Sequence, residues 1–567
     1  MDAQSPDWFS NVTDAHQVKN YDAVEWAEEA DLVVVGLGGA GVATALQGME
    51  NGLTVITLDK FAGGGATKAS GGVFYAGGGT QMQKDAGIED TPQNMFEYLK
   101  LEVEGIVSEE TLKRFCDTSV ETYDWLVANG VEFRSTHWPS KTSYPGPEYF
   151  LYHSDNTLVS NIRKKIPPSA RGHRGFVPIE QGRKAINLGG SIFDPLKETA
   201  LQKGMMFHDY TEVRTLVTDE AGRVCGVKVD YFEDEKSKKK YINYLAKANR
   251  YFMMWPPILP GYKFFAGRGT ALLMKARQLE GSRQTRFIGA KKAVMLSAGG
   301  FVYNREMMAH YAPKFTDTLP LGTDGDSGAG IRLGQSVSGK IDNMHRISPW
   351  RFINPPFSFA KGIIVNKHGR RFINETVYGA TMGVEIGEHQ EGKAWLILNR
   401  ALTKAALAEV SGGKALSFQR DLARLNVWFG SVKADTLEAL AGKTGLPLDA
   451  LTEEITTYQK AVAGIQEDSF GKDQSEVSDL TDGPYYALDI SLNAKLFPCP
   501  AITLGGLVVD ESTGEVLNDQ GRPVAGLYAS GRNAVGICSQ NYVSGLSISD
   551  CVFSGRRAAD HIAGKQN

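Results

Sequence analysis

Cysteine is scarce in this sequence. The five present, Cys116, Cys225, Cys499, Cys538 and Cys551, are scattered and never form C-x-x-C. That argues against a metal site, a haem attachment or a disulfide framework, and it fits a reducing cytoplasm. No apolar run reaches the roughly 20 residues that span a bilayer. The first residues carry Asp2, Asp7 and Asp14 around no apolar core, so a secretory signal is not expected. Positive charge is not in excess either. A net charge of −4 over 567 residues offers nucleic acid no surface. With 42% hydrophobic and 22% charged residues the chain is globular, and its length calls for two or three domains.

What the chain does have is glycine where a dinucleotide needs it. Asp31-Leu-Val-Val-Val-Gly36-Leu-Gly38-Gly39-Ala40-Gly41 reads as a buried parallel strand running into G-x-G-x-x-G. Gly36 makes the tight turn, Gly38 lets the backbone approach a pyrophosphate, and Gly41 lets the following helix pack close. That helix, Val42 to Asn51, points unpaired amides and its positive end at the phosphates across Gly39 and Ala40. A second strand, Leu53 to Leu58, ends in Asp59, 23 positions after Gly36. A carboxylate there is placed to accept from ribose hydroxyls.

NAD(P) and FAD both fit this unit, and the next stretch separates them. Phe61-Ala-Gly-Gly-Gly65-Ala66-Thr67-Lys68-Ala-Ser70-Gly71-Gly72 is followed by Val73 to Thr80 with three more glycines. A dense Gly/Ser/Thr loop suits a long, flat cofactor, because backbone must lie against its rings and short hydroxyls must bond its edges. An NAD(P) domain would continue directly into a third strand.

The fingerprint, the acid and the G-G-A-T-x-x-S-G-G loop resemble the flavoprotein superfamily of fumarate reductases, succinate dehydrogenases and 3-ketosteroid dehydrogenases. The resemblance implies an α/β, Rossmann-like FAD-binding domain, discontinuous in sequence, with an inserted substrate-capping domain of α+β type. It divides the chain into an arm (1–29), the first part of the FAD domain (30–334), the inserted domain (335–495) and a returning FAD part (496–567). It also places Lys60, Gly65, Ala66, Thr67, Ser70, Gly71, Gly72, Val213, Gly299, Asp324, Gly531, Arg532, Leu546 and Ser547 at the cofactor. Members with covalent flavin carry a histidine in this loop. None lies between Lys60 and Thr80, so the FAD is expected to be noncovalent.

Along the chain, Trp8, Phe9 and Trp26 are able to pin the arm. Residues 90–132 read as helical and 135–187 as loop-rich cover. A helix from Gly189 to Lys203 precedes meander strands at Met206–Tyr210, Glu212–Thr218 and Val224–Phe232. The stretch 233–290 combines the run Lys236-Ser-Lys-Lys-Lys240 with an aromatic, proline-broken segment, and a short helix is expected from Gly267. Two readings stand for it. One is an insertion packed on the body. The other is a greasy rim at 251–266 where a lipophilic substrate enters, touching a membrane surface. In the inserted domain a strand, an Asn366-Lys-His-Gly369 turn and a second strand lead to Asn374-Glu375. A charged helix covers 435–465.

The reaction is read from the polar residues that face the flavin. Dicarboxylate chemistry needs cations to clamp two carboxylates. Fumarate reductases carry a histidine-proline-threonine turn and an arginine-leucine-glycine-glycine stretch near the C-terminus, and neither is present. The corresponding place reads Tyr542-Val-Ser544-Gly-Leu-Ser. Glu375 is read as structural. Gly526-Leu-Tyr-Ala-Ser-Gly-Arg532, Tyr542-x-Ser-Gly and Ser554-Gly-Arg-Arg557 resemble the 3-ketosteroid Δ4-(5α)-dehydrogenases, which also carry a tyrosine where Tyr378 follows Glu375. The resemblance implies Tyr542, Tyr378 and Ser544 as catalytic. In the implied reaction they take a proton from carbon 4 of a 3-keto-steroid while hydride leaves carbon 5 for flavin N5. Phe352 and Phe357 are candidates for the pocket wall. A Δ1-dehydrogenase or another flavin enoate reductase is the alternative, and the insertion at 233–290 keeps it open. Steroid identity, electron acceptor and direction are not legible.

Overall fold

The computed structural model describes residues 12–184, 187–254, 261–413 and 415–565. Trp8, Phe9 and residues 255–260 lie outside them.

The cofactor lobe contains, in chain order, β1 (Glu28–Val35), α1 (Gly39–Glu50), β2 (Val55–Leu58), β3 (Met206–His208), β4 (Glu212–Thr218) and β5 (Val224–Tyr231). Next come α2 (Glu235–Met254), α3 (Tyr262–Glu280) and β6 (Gln284–Leu296), and from the C-terminal part β7 (Pro523–Ala529) and α4 (Leu546–Ile562). The strands lie side by side as β4, β5, β6, β1, β2, β3, with the short strand His16–Gln17 outside β4. β1, β2 and β3 are parallel. Val33 and Val34 on β1 are fully buried, as a strand covered on both faces requires. β6 serves two neighbourhoods. Its first half pairs antiparallel with β5, and its last residues run parallel between β1 and β7. The C-terminal part of the chain thereby returns to the sheet that the glycine run opens. Helices α1 and α4 approach so closely that a Cβ at Gly555 would sit 2.7 Å from the Ala40 carbonyl.

The second lobe has its own core, drawn from Phe301 to Ala501. Its antiparallel sheet orders Ile363–Val365, Trp395–Asn399, Tyr485–Asp489 and Ser431–Ala434. The residues expected as a second strand after the 366–369 turn form only an isolated bridge, Val365 to Arg371. Arg371 turns its guanidinium inward to Glu375 and Asp468. The helix expected over 435–465 is two helices, Leu437–Thr444 and Leu448–Val462. Gly445 ends the first in the left-handed conformation and Pro447 caps the second.

The insertion is a helical hairpin. The basic run lies inside α2, and α3 begins at Tyr262, earlier than the expected Gly267. Gly269 admits the Phe252 ring where the two helices cross, since a Cβ there would lie 2.9 Å from it. The arm's Trp26 packs against Tyr21 and Phe287 and fills the space left by Gly226 and Gly289.

Candidate cofactor cradle and active site

The turn after β1 explains its own glycines. A Cβ at Gly41 would fall 2.0 Å from the Gly36 carbonyl, and one at Gly36, where φ is +95°, would meet Ser297 and Ala298 at 2.8 Å. These two glycines hold strand, helix and returning chain together. Gly38 and Gly65 differ. A Cβ on either meets nothing nearer than 3.8 Å, so they border open space and face each other. Helix α1 starts on Gly38 with no side-chain cap, and α4 starts on Gly545, φ +93°, likewise uncapped. Helix N-termini without a side-chain cap are seats for anionic groups. Gly39 N–H donates to Thr67 Oγ1 at 3.1 Å, and the Ser70 hydroxyl donates to the Thr67 carbonyl, fixing the Gly65–Lys68 turn on which Ala66 sits. Ser70 also accepts from Gly72 N–H, and the Tyr144 hydroxyl donates to the Gly71 carbonyl.

Buried polar atoms without partners mark the same cradle. Arg532 pairs with Asp326 through one nitrogen, yet its Nη1 has no hydrogen-bond partner, and neither side-chain atom of Asn533 has one. Such atoms cost about 1–3 kcal/mol each if left bare. Arg532 lies beside Gly299 and Gly300, and Gly531 packs on Ala40. The open glycines, uncapped helices and unsatisfied donors fit a phosphate-bearing cofactor.

The structure places four further expected cofactor residues as follows. Lys60 is ion-paired with Glu212 at 2.8 Å. Asp324 is exposed, and the carboxylate buried in that turn is Asp326, which accepts from the amides of Gly300 and Thr323. Asp59 accepts from Leu37 N–H at 2.8 Å and Phe61 N–H at 2.7 Å, so it ties the glycine turn to the loop after it. Burial raises its pKa against the pull of these amides. Val213 is buried on β4 opposite Val229.

A second cluster is built of hydroxyls. Tyr378 caps the helix Gly379–His389, and its amide donates to Asn156 Oδ1 at 2.6 Å. Ser544 N–H donates to the Ser154 carbonyl at 3.1 Å. Capping lobe and C-terminal loop are therefore both tied to the segment 152–156. Ser544 Oγ lies 3.0 Å from the Tyr152 hydroxyl. Burial pushes the Tyr378 phenol well up, the phenols of Tyr542 and Tyr152 add to this, and a hydrogen bond with Ser544 offsets part of it. Tyr542 accepts from Gly545 N–H at 3.4 Å. Burial pushes its pKa up to about 12, with the Ser547 hydroxyl and the Gly545 amide pulling the other way. Its ring stacks on Trp350, 5.1 Å between centroids and 18° between planes. Phe352 meets Tyr378 edge-on at 5.7 Å. Phe357 packs into the capping-lobe core instead.

Tyr378, Tyr542 and Ser544 are thus brought together. Tyr152 and Trp350 complete the group and were missed. Nothing local marks Tyr152 out within an aromatic run, and Trp350 carries no chemistry of its own. Glu375 stays away from the cluster: buried, it is bound by Arg371 and Lys472, each at 2.8 Å, and accepts from Ile364 N–H. Arg351, next to Trp350, spends its guanidinium on the carbonyls of Ser491 and Phe497.

A cradle for a phosphate-bearing cofactor beside a buried hydroxyl cluster fits the class of dinucleotide-dependent redox proteins. The model of the FAD binding domain family matches residues 31–547, and the chain belongs to that family. It is an FAD-dependent oxidoreductase. It is 34% identical over 531 residues to 3-oxo-5-alpha-steroid 4-dehydrogenase of Comamonas testosteroni, covering 92% of this chain and 96% of that one. It is 25% identical to 3-oxosteroid 1-dehydrogenase of Mycobacterium tuberculosis over 94% of this chain and 98% of that one. Among solved structures it superimposes on 3-ketosteroid-delta4-(5alpha)-dehydrogenase from Rhodococcus jostii RHA1, solved with 4-androstene-3,17-dione. The TM-score is 0.79 at 28% identity, covering 97% of this chain and all of that one.

Proposed function

We propose that this enzyme introduces, or in reverse reduces, the double bond between carbons 4 and 5 of a 3-ketosteroid. Residues 30–334 and 496–567 hold the cofactor, and 335–495 caps the substrate. The observation that carries the reading is the cluster of Tyr542, Tyr378, Ser544 and Tyr152 against Trp350 and Phe352. It offers hydroxyls and apolar area to a neutral, flat ketone, and none of these six side chains carries a positive charge for a dicarboxylate. The relative at 34% identity acts at this bond by its name, which supports the same regiochemistry.

Bound FAD supplies the two-electron acceptor for the hydrogen on carbon 5. Gly38, Gly65 and Thr67 with the α1 N-terminus would hold its phosphates, and Gly71, Gly72 and the α4 N-terminus at Leu546 and Ser547 would hold its ring end. The steroid carbonyl acidifies the neighbouring carbon. Tyr542, as the phenolate and held by the Gly545 amide and the Trp350 face, takes the proton from carbon 4. Ser544 and Tyr378 relay it toward solvent, with Tyr152 behind Ser544, which returns Tyr542 to the phenolate. The aromatic wall excludes water and keeps the substrate plane fixed.

The test is anaerobic titration of the yellow enzyme with a saturated 5α-3-ketosteroid beside a 4-ene-3-ketosteroid. Bleaching by the first with a 4-ene product is expected. Bleaching by the second alone, giving a 1,4-diene, would move the reaction to carbons 1 and 2. No bleaching by either would end the steroid reading.

A further inference from the structure

We propose that the α2–α3 hairpin is a docking face for an anionic lipid bilayer. Residues 235–280 contain ten lysines or arginines against only Glu235 and Glu280, a local charge of +8 on a chain whose net charge is −4. Lys238 is held by Asp209 at 2.6 Å. The other nine are exposed, and among the described residues none of them makes an ion pair. A charge concentration this lopsided is not needed to hold the hairpin on the body, because that is done by apolar packing at its base. Tyr241 and Ala276 are buried with Phe232, and Tyr210 packs beside them. Beyond the base each helix packs chiefly on the other. The helices, 20 and 19 residues long, run about 20 Å beyond Tyr241 and Ala276.

Large apolar side chains stand exposed among the cations: Phe252 is 37% exposed, Phe264 60% and Met274 52%. The Arg268 guanidinium lies 4.7 Å over the Phe264 ring, a pairing that keeps a cation at the level of an exposed aromatic. Cations alone would suit any polyanion. Cations mixed with exposed aromatic and thioether groups suit a lipid interface, where the charge meets headgroups and the apolar side chains enter the acyl boundary. No helix among the described residues is long and apolar enough to cross a membrane, so the contact is with one face.

The full-length flavoprotein is sedimented with vesicles of equal parts phosphatidylcholine and phosphatidylglycerol, and with phosphatidylcholine alone. Wild type should pellet with the anionic vesicles only. Raising salt to about 0.5 M, or combining Lys239→Glu, Lys240→Glu and Lys247→Glu, should lower the bound fraction about tenfold or more. Phe264→Ser with Met274→Ser should weaken binding with the salt dependence retained. Unchanged flavin absorbance and turnover in these variants show that they are folded. Wild type left in the supernatant would overturn the proposal, as would equal pelleting with neutral vesicles or an unaffected charge-reversal variant. Retention on duplex DNA without pelleting on vesicles would assign the face to a polyanion instead.

Discussion

The hydroxyls of Tyr152 and Ser544 stand 3.0 Å apart although 392 residues separate them in the chain. Tyr152 is fully buried and Ser544 nearly so, with relative exposures of 0% and 9%. The pair joins the cover of the cofactor lobe to the C-terminal loop. Tyr378, from the capping lobe, is drawn to the same serine. If Tyr152 serves the reaction through Ser544, Tyr152→Phe and Ser544→Ala should each slow flavin reduction about 10–100-fold, and the double variant should be no slower than the worse single one. Additive losses in a double-mutant cycle would mean that the two act separately.

Tyr542 occupies the reacting position in the proposed mechanism. Tyr542→Phe should lower single-turnover flavin reduction by about 10²–10⁴ while FAD stays bound, because the ring can keep its stack on Trp350. Stopped-flow absorbance measures the rate, and the flavin spectrum before mixing measures occupancy. An unchanged rate would remove Tyr542 from proton transfer.

The same phenol sets a pH profile. Its pKa is pushed up to about 12, chiefly by burial, so it is protonated at neutral pH. If the phenolate takes the proton, its population and the flavin-reduction rate rise about tenfold per pH unit below that value. Single-turnover rates from pH 7 to 10 should climb without a plateau. A flat profile would exclude the phenolate as base.

Two glycines of one turn should fail differently. Gly41→Ala places a methyl 2.0 Å from the Gly36 carbonyl and should destabilise the lobe. Gly38→Ala meets no protein atom nearer than 4.0 Å and should fold with an unchanged melting temperature. Its methyl would occupy the cradle, so FAD affinity should fall at least about tenfold. Thermal melts with and without added FAD separate the two outcomes.

The buried set of Glu375, Arg371, Lys472 and Asp468 predicts acid lability. The cations hold both carboxylates below their ordinary values against a burial that raises them. A depressed folded-state pKa contributes stability that is complete above the unfolded values, here 4.5 for Glu375 and 3.8 for Asp468, and is lost as pH falls through the folded ones. Denaturant midpoints measured from pH 6 downward should decline in that acidic range. Glu375→Gln should flatten the decline and cost about 3–5 kcal/mol at neutral pH, because Lys472 and Arg371 lose a buried partner.

The strand–turn–helix at 31–50 and the antiparallel pair β4 and β5 were legible because their signals are local, whereas Met206–His208, expected in the same meander, lies at the far edge of the sheet, parallel to β2. Valine runs, glycine spacing and turn residues act within a few positions of themselves. The hairpin was half legible. Its basic run was visible, but charge hid the helical stripe of Tyr241, Leu245 and Ala248 that α2 turns inward or partly inward. That Asp326 rather than Asp324 is the buried carboxylate of its Gly-rich turn was not legible, since it depends on packing against Arg532.

By itself the sequence determined the strand–turn–helix that opens the cofactor lobe, because a valine strand, glycine spacing and helix act within about twenty residues, as the approach of Gly41 to the Gly36 carbonyl shows. It also argued against a dicarboxylate substrate, because the arginine and histidine motifs of those enzymes are absent from it. Only the tertiary structure decided which hydroxyls meet. The proximity of residues 152, 378, 542 and 544 depends on how two lobes and a C-terminal loop close on one segment, and no local pattern encodes that approach.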